Sequence, residues 1–252
     1  MAIAPYQPGW FDGEMSCDGT SAAIDRGKSC REEDVPVPGT IVSNGVTQVV
    51  VPGDPNEKVG PPGTGPLRVV RVENDLRYTI HFENVITATA PAQEVFVTDK
   101  LDPSLDWSTF RVDEIMLGNH VIPVADDAAQ FSAREPINDH RAGVTKSWWV
   151  DITAQLNPAT GRVGWALRTL DPDTGELPED PLAGFLPPND TSGRGQGYVS
   201  FTIRPKAGVP IGTVIRNRAS IVFDTNDPIS TNEVWNTVDQ PKLQTYLPLI
   251  RR

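Results

Sequence analysis

The stretch Ala219-Ser-Ile-Val-Phe-Asp-Thr-Asn-Asp-Pro-Ile-Ser-Thr-Asn232 alternates apolar and polar residues as far as Phe223. It then continues into a loop that is crowded with Asp and Asn side chains. Alternation with a period of two predicts a strand with one buried face and one solvated face. A strand that runs into an acidic loop is typical of the end of a β-sandwich, where such loops gather and often bind calcium.

The same alternation recurs along the chain, whereas no apolar stripe with helical spacing exceeds two turns. The clearest segments are residues 76–82, 148–156, 163–167 and 199–203. Gly118-Asn119 separates two apolar runs and predicts a hairpin. We therefore predict an all-β fold, an antiparallel β-sandwich of about ten to twelve strands with long inserted hairpins and loops. Residues 170–196 form the longest predicted loop.

The charge of the chain excludes several classes of partner. The 252 residues carry a formal net charge of −11, which argues against binding to nucleic acid or to anionic lipid. No run of about 20 apolar residues predicts a membrane-spanning helix, and Met1-Ala-Ile-Ala-Pro-Tyr6 lacks the features of a signal peptide. An acidic chain suits an extracellular or cell-surface protein that binds cations or simply stays soluble.

We expect three parts in the chain. Residues 1–51 read as an irregular N-terminal arm or cap, residues 52–240 as the sandwich, and residues 241–252 as a C-terminal tail. Cys17 and Cys30 are the only two cysteines, and a disulfide between them would close a loop worth about 3 kcal/mol. Two unrelated surface thiols are the alternative to this disulfide. A zinc site would need further ligands nearby.

Several segments together resemble the conserved repeat domains of bacterial envelope and secreted proteins. These are immunoglobulin-like domains of the domain-of-unknown-function type, found in large surface proteins. The resemblance covers about residues 52–240. Its segments are Asp54–Gly60, Leu76–Asn84, Ala92–Asp106, Gly184–Asp190, Gly212–Phe223 and Asn226–Asn236. The resemblance implies an immunoglobulin-like sandwich in a cell-surface setting and implies no reaction, because such domains serve as spacers, stalks and adhesive or assembly modules.

Calcium is the one cofactor that the sequence suggests. Asp224, Asn226 and Asp227 resemble the calcium loops of cadherin-like sandwiches, and Asp99 and Asp102 are predicted on another loop. Calcium prefers six to eight oxygen ligands, which Asp and Asn at short spacing supply in part. Asp and Asn also build turns without any metal, by bonding their own backbone. Both interpretations of these loops stay open from the sequence.

No catalytic constellation stands out in the sequence, and we predict that the chain is not an enzyme. His81, His120 and His140 lie near no nucleophile motif. The abundant Asp and Glu residues show no pattern that sets a carboxylate pair apart from a solvated acidic surface.

Aromatic residues provide the candidate contact sites. Trp148 and Trp165 share the parity of buried neighbours, whereas Trp149 and Tyr198 face the other way on their strands. Exposed aromatic rings stack on sugars or become buried in a neighbouring subunit. We therefore list as candidate interface or ligand aromatics Trp149, Tyr198, Trp235 and Tyr246.

Two functions follow from these observations. The first is a non-catalytic extracellular structural module, which forms a subunit or segment of a bacterial cell-surface assembly such as a filament, stalk or surface layer, with calcium as a possible stabiliser. Its partners would be neighbouring copies or other surface proteins. The alternative is a carbohydrate-binding or adhesive module that recognises glycans through the exposed aromatics.

Overall fold

The computed structural model describes residues 55–141 and 143–239. Within these ranges the secondary structure consists of fourteen β-strands and no helices, so no helix there could span a membrane. The strands are β1 (Lys58–Val59), β2 (Val69–Arg71), β3 (Leu76–Glu83), β4 (Glu94–Lys100), β5 (Leu105–Leu117), β6 (His120–Ile122), β7 (Gln130–Asn138), β8 (Ser147–Asn157), β9 (Arg162–Leu170), β10 (Gln196–Pro205), β11 (Val214–Asn217), β12 (Ala219–Phe223), β13 (Ile229–Ser230) and β14 (Val234–Asp239). The predicted all-β class is confirmed.

Three sheets make up this part of the chain. One sheet has five strands in the order β1-β3-β10-β5-β6, and another has six in the order β13-β12-β4-β9-β8-β7. Both are antiparallel throughout. The third sheet has the order β11-β14-β2, in which β14 and β2 run parallel. The antiparallel architecture that the alternation predicts is therefore confirmed for the two large sheets.

The core lies between the two large sheets. Phe201 on β10 contacts Trp165 on β9, with ring centroids 5.7 Å apart, and Phe110 on β5 meets the same Trp165 at 6.5 Å. All three side chains are at most 1% exposed. Because inward positions alternate with outward ones along each strand, each sheet contributes every second residue to this core.

The long connection between β9 and β10 packs against the sandwich. Phe185 and Leu186 are buried, and Leu186 forms a β-bridge with Ala92. The side-chain amide of Gln93 donates to three carbonyl groups of this connection, at 3.0 to 3.1 Å. A loop that satisfies its backbone in this way is an ordered part of the domain.

Two features differ from the sequence prediction. The high Pro and Gly content of residues 52–66 by itself predicts no regular structure there, yet β1 lies in this segment and pairs with β3. Asp99 was expected on a loop, but it lies inside β4 with 0% exposure. The predicted disulfide between Cys17 and Cys30 and the tail residue Tyr246 lie outside the described residues.

Candidate functional site

Asp224 caps the start of β4. Its Oδ1 accepts hydrogen bonds from the backbone N–H groups of Gln93 and Glu94, both at 2.9 Å. Its backbone has φ of 49°, in the left-handed region that Asp tolerates better than most residues. These contacts are those of a turn-forming Asp, and they engage one of the two carboxylate oxygens of Asp224.

The predicted calcium ligands do not form one site. Phe223, which precedes Asp224, pairs with Val95, whereas Asp99 pairs with Ala219. Asp224 and the register partner of Asp99, Ala219, are five residues apart, so the two Asp residues lie at opposite ends of the β4–β12 pair. The usual rise per residue separates them by about 16 Å. A single ion cannot bridge that distance, so the five residues cannot share one ion.

The other candidate oxygens have separate surroundings. Asn226 and Asp227 are exposed, and Asp102 accepts from the backbone N–H groups of Ser104 at 2.8 Å and Arg216 at 3.2 Å. In residues 55–141 and 143–239, no group of three or more His, Cys, Asp or Glu side chains is arranged to hold a metal. Calcium binding to the Asp224–Asp227 loop stays a prediction.

Asp99 instead forms a buried ion pair. Its Oδ2 accepts a short hydrogen bond from Nζ of Lys58 on β1, and both side chains have 0% exposure. Nζ lies 5.1 Å from the ring centroids of Tyr78 and of Phe201. Fully buried lysines are rare unless they are paired, which makes this contact the most unusual polar feature of the described chain.

Asn217 on β11 is the third polar side chain of this cluster. It is 3% exposed, and it lies two residues before Ala219, the register partner of Asp99. Its amide is close enough to Asp99 to favour the ionised carboxylate. Even so, neither amide atom of Asn217 makes a hydrogen bond of normal geometry to any described residue. We call Lys58, Asp99 and Asn217 the core triad.

Burial shifts both ionisable groups of the core triad toward their neutral forms. Desolvation lowers the pKa of Lys58, and the nearby Asp99 carboxylate opposes this shift only in part. Desolvation likewise raises the pKa of Asp99 against the opposing effects of Lys58 and Asn217. A low-dielectric site penalises charge, so a neutral amine beside a neutral carboxylic acid becomes accessible there.

A shallow groove lies on the outer face of the six-stranded sheet. Its volume is about 470 Å³. Ala166 and Thr153, which have small side chains, are register partners in the middle of the groove. We call this surface the outer groove. It is lined by Glu94, Phe96, Asp151, Thr153, Ala166, Arg168 and Leu170.

The charges of the outer groove are already paired. Arg168 Nε donates to Glu94 Oε1 at 2.6 Å, and the Arg134 guanidinium binds both oxygens of Asp151. Glu94, Arg168, Asp151 and Arg134 are successive register partners across four strands. The Arg134 guanidinium lowers the pKa of Asp151, so this carboxylate stays ionised at neutral pH.

The candidate aromatics lie on three different sheets. Trp149 is on the outer face of the six-stranded sheet, opposite Leu170. Tyr198 is on the five-stranded sheet, where desolvation and its hydrogen bond to Glu114 raise its pKa to about 12. Trp235 is on the three-stranded sheet with the Arg68 guanidinium 5.8 Å from its ring. The three rings therefore do not form one platform.

Lys58 and Asn217 were missed by the sequence analysis. The alternation of inward and outward positions along the strands did single out two members of the core triad. Asp99 follows Val95 and Val97 at inward positions, and Asn217 lies between the inward Ile215 and Ala219. A polar residue at an inward position is unusual enough to suggest a partner in the core. Lys58 gave no such signal, because its two-residue strand has no readable alternation.

Comparison with solved structures finds several bacterial surface domains. The C-terminal domain of the Streptococcus agalactiae AgI/II polypeptide BspA has 12% identity and a TM-score of 0.38, over 72% of this chain and 49% of that chain. The chain thus spans about half the length of that structure. A collagen-binding domain from a Staphylococcus aureus adhesin has 10% identity and a TM-score of 0.35, over 75% and 99% of the two chains.

The Enterococcus faecalis MSCRAMM ACE, which is described as binding its ligands by the collagen Hug model, has 10% identity and a TM-score of 0.32, over 75% and 52% of the two chains. TM-scores this low carry no argument about what this chain binds. No curated protein matches the chain significantly.

One family model matches the chain, over residues 54–131 and 184–237. These ranges make up slightly more than half of the 252 residues. All three residues of the core triad lie within them, whereas the outer groove lies mostly in the unmatched segment between them. The chain belongs to the family described as a domain of unknown function, DUF7619.

Proposed function

We propose that this chain is a non-catalytic structural module of a bacterial cell-surface protein, and that it contacts neighbouring copies or other surface proteins. One observation carries the non-catalytic part: every ionisable side chain that lines the outer groove is in an ion pair, Glu94 with Arg168 and Asp151 with the neighbouring Arg134. A catalytic site needs an accessible acid, base or nucleophile that is free to act on a substrate. The paired outer groove offers none among its lining residues.

The surface setting is supported by the sequence. The net charge of −11 suits a soluble extracellular module, and the resemblance to envelope repeat domains covers most of the chain. The expected arm (residues 1–51) and tail (residues 241–252) are the parts that would reach a neighbour. Calcium at the Asp224–Asp227 loop would stabilise such contacts.

Light scattering coupled to size-exclusion chromatography tests this function. Residues 1–252 and a truncated chain of residues 1–240 are compared, each in calcium and in a chelator. We expect the full chain to self-associate and the truncation to weaken that association, because the apolar tail would dock on a neighbouring copy. A monomer under all four conditions would contradict the proposed contact between copies.

An adhesive module that binds glycans is the second candidate. Trp149 and Leu170 are register partners at one end of the outer groove, and the aromatic side chain of Phe96 lines the groove itself. An aromatic ring beside polar groups on an open surface is suited to stack on the apolar face of a sugar.

A glycan array probed with residues 1–252 tests this candidate. We expect Trp149→Ala and Phe96→Ala to abolish any binding that the array detects. Tyr198→Ala is the matched control, because Tyr198 lies on the other large sheet and its removal should leave the binding unchanged. A folded protein that binds no glycan on the array, or binding that survives both groove variants, would exclude the outer groove as a glycan site.

A further inference from the structure

The core triad joins three strands that are far apart in sequence. Lys58 is on β1, Asp99 on β4 and Asn217 on β11, and their exposures are 1%, 0% and 3%. Lys58 is held in register because Asn232 accepts a hydrogen bond from its N–H at 2.7 Å and donates one to its carbonyl oxygen at 3.0 Å. The amine is therefore positioned by the backbone as well as by Asp99.

An ion pair alone does not account for the polar atoms of this cluster. Asp99 Oδ1 and both amide atoms of Asn217 are buried without a hydrogen-bond partner among the described residues. Buried polar atoms normally find partners because leaving them unpaired costs free energy. A buried ion pair with an unpaired amide next to it is consequently a poor device for stability.

We propose that Nζ of Lys58 and the side-chain carbonyl carbon of Asn217 form an intramolecular isopeptide bond, with Asp99 as the group that transfers the protons. The bond replaces the unpaired amide and the buried amine with one secondary amide. This inference goes beyond the proposed surface function and does not depend on it.

The reaction balances without any further reactant. Lys58 transfers a proton to Asp99, and the neutral amine attacks the Asn217 carbonyl carbon to form the new C–N bond. The C–N bond to the original amide nitrogen breaks, and that nitrogen leaves as ammonia after it takes a second proton from Nζ by way of Asp99. Lys58 thus loses two protons, of which one leaves with ammonia and one remains on Asp99. No oxidation or reduction occurs.

The surroundings of the core triad favour this chemistry. The Tyr78 and Phe201 rings lie 5.1 Å from Nζ, and Phe201 in turn packs on Trp165 and Phe110. This aromatic shell keeps water from the amine and, after the reaction, from the amide. Exclusion of water favours the neutral amine and the neutral acid that the first step requires.

Asn217 is a better acyl group than Asp99. Nζ approaches Oδ2 of Asp99 as a hydrogen-bond donor, which is the geometry of proton transfer. A carboxylate resists attack by an amine because of its negative charge, whereas a neutral amide whose oxygen receives a proton from Asp99 is activated. A bond from Lys58 to Asp99 would also leave the Asn217 amide unpaired.

The bond would connect the first described strand with the end of β11, so that most of the described chain lies between the two linked residues. A pulling force applied at the two ends of the domain would pass through the covalent link. The strands between the linked residues would then not be extended.

Intact-mass spectrometry of residues 1–252 under denaturing and reducing conditions tests the proposal. We expect a mass below the sequence mass by about 17 Da, which is the ammonia that the nucleophilic attack releases. In a tryptic digest, cleavage after Lys58 should fail, and residues 32–68 should appear joined to the dipeptide Asn217-Arg218. This readout is a mass, so it is independent of any assembly or glycan binding.

Variants assign the roles. Lys58→Met, Asp99→Ala and Asn217→Ala should each have their full sequence mass, whereas Lys100→Met, at an exposed lysine on β4, should keep the loss. A wild-type mass equal to the sequence mass overturns the proposal, and this result does not depend on whether any variant folds. A loss of about 18 Da with a branched peptide through Asp99 overturns the assignment of Asn217, because amide formation from a carboxylic acid releases water.

Discussion

Asn232 holds the main chain of Lys58 from both sides: its Oδ1 accepts from Lys58 N at 2.7 Å, and its Nδ2 donates to Lys58 O at 3.0 Å. The two residues are 174 positions apart in sequence. β1 has only two residues, Lys58 and Val59, so this side chain supplies the pairing that a longer strand would obtain from a neighbouring backbone.

Replacement of Asn232 by Ala should therefore loosen β1. Two hydrogen bonds are lost, and we expect unfolding free energy to fall by about 1–2 kcal/mol. Urea denaturation followed by Trp fluorescence measures this change. Asn119→Ala is the matched control, since its amide makes a single exposed contact at 3.5 Å. Equal stabilities for the two variants would show that Asn232 does not fix β1.

Gly197 on β10 and Gly164 on β9 should respond differently to replacement by alanine, because their surroundings differ. A Cβ at Gly197 would lie 2.4 Å from Phe82 Cε2 and 2.9 Å from the Met116 carbonyl oxygen, whereas a Cβ at Gly164 would have no heavy atom within 4 Å. We expect Gly197→Ala to cost about 1–3 kcal/mol through overpacking. Gly164→Ala should be tolerated. Thermal unfolding of both variants checks this, and a Gly197→Ala protein as stable as the Gly164→Ala protein would contradict the packing of β10 against Phe82.

The amphipathic strands could be predicted from the sequence because alternation reports burial on one face. The predicted alternation of residues 76–82 corresponds to β3 (Leu76–Glu83), whose burial alternates along its length. The Gly118-Asn119 hairpin is also confirmed, since it joins β5 to β6. In both cases a local pattern of side chains decided the structure.

Two strands escaped prediction for a different reason. β7 (Gln130–Asn138) contains Pro136 and charged residues, and its burial never exceeds an intermediate level. β1 depends on contacts with Asn232, far away in sequence. Strand parity marked Asp99 and Asn217 as inward polar residues, but their contact with Lys58 was missed on the same grounds, because only the tertiary fold brings Lys58 to them. Contacts between distant segments leave no local pattern in one sequence.

The stability of the region around Trp148 should depend on pH through Asp139. The Arg141 guanidinium holds the pKa of Asp139 well below its usual range, with help from a hydrogen bond donated by Trp148 Nε1 at 3.1 Å. A group whose pKa is depressed by folding stabilises the protein above its unfolded pKa, about 3.9 for Asp. That stability is lost as the pH falls from there through the folded pKa.

Asp139→Asn should accordingly lower the melting temperature at pH 7. The difference from the wild type should shrink below about pH 4, the region in which Asp begins to take up protons when unfolded. Thermal unfolding across pH 2 to 7 measures it, with the exposed Asp126→Asn as control. A difference that stays constant down to pH 2 would mean that the ion pair with Arg141 is not its cause.

The edge of the six-stranded sheet is protected against pairing with another chain. β7 pairs only with β8 among the described strands. Glu135 lies opposite the buried Val150, so a charged side chain occupies an inward position on this edge. Pro136, the register partner of Trp149, has no backbone N–H to donate to a further strand. Inward charges and prolines are devices that prevent association of exposed edges.

Replacement of both Glu135 and Pro136 should allow the exposed edge of β7 to pair with another chain. In the background of residues 1–240, which lacks the tail, we expect Glu135→Val combined with Pro136→Val to associate in a concentration-dependent manner. Light scattering coupled to size-exclusion chromatography measures this. Ser132→Val is the control, because it adds the same side chain to the solvent-facing side of β7 and leaves both devices in place. If the double variant matches the control in mass at every concentration, β7 is shielded by something other than Glu135 and Pro136, and docking of a partner strand would have to occur at a different edge.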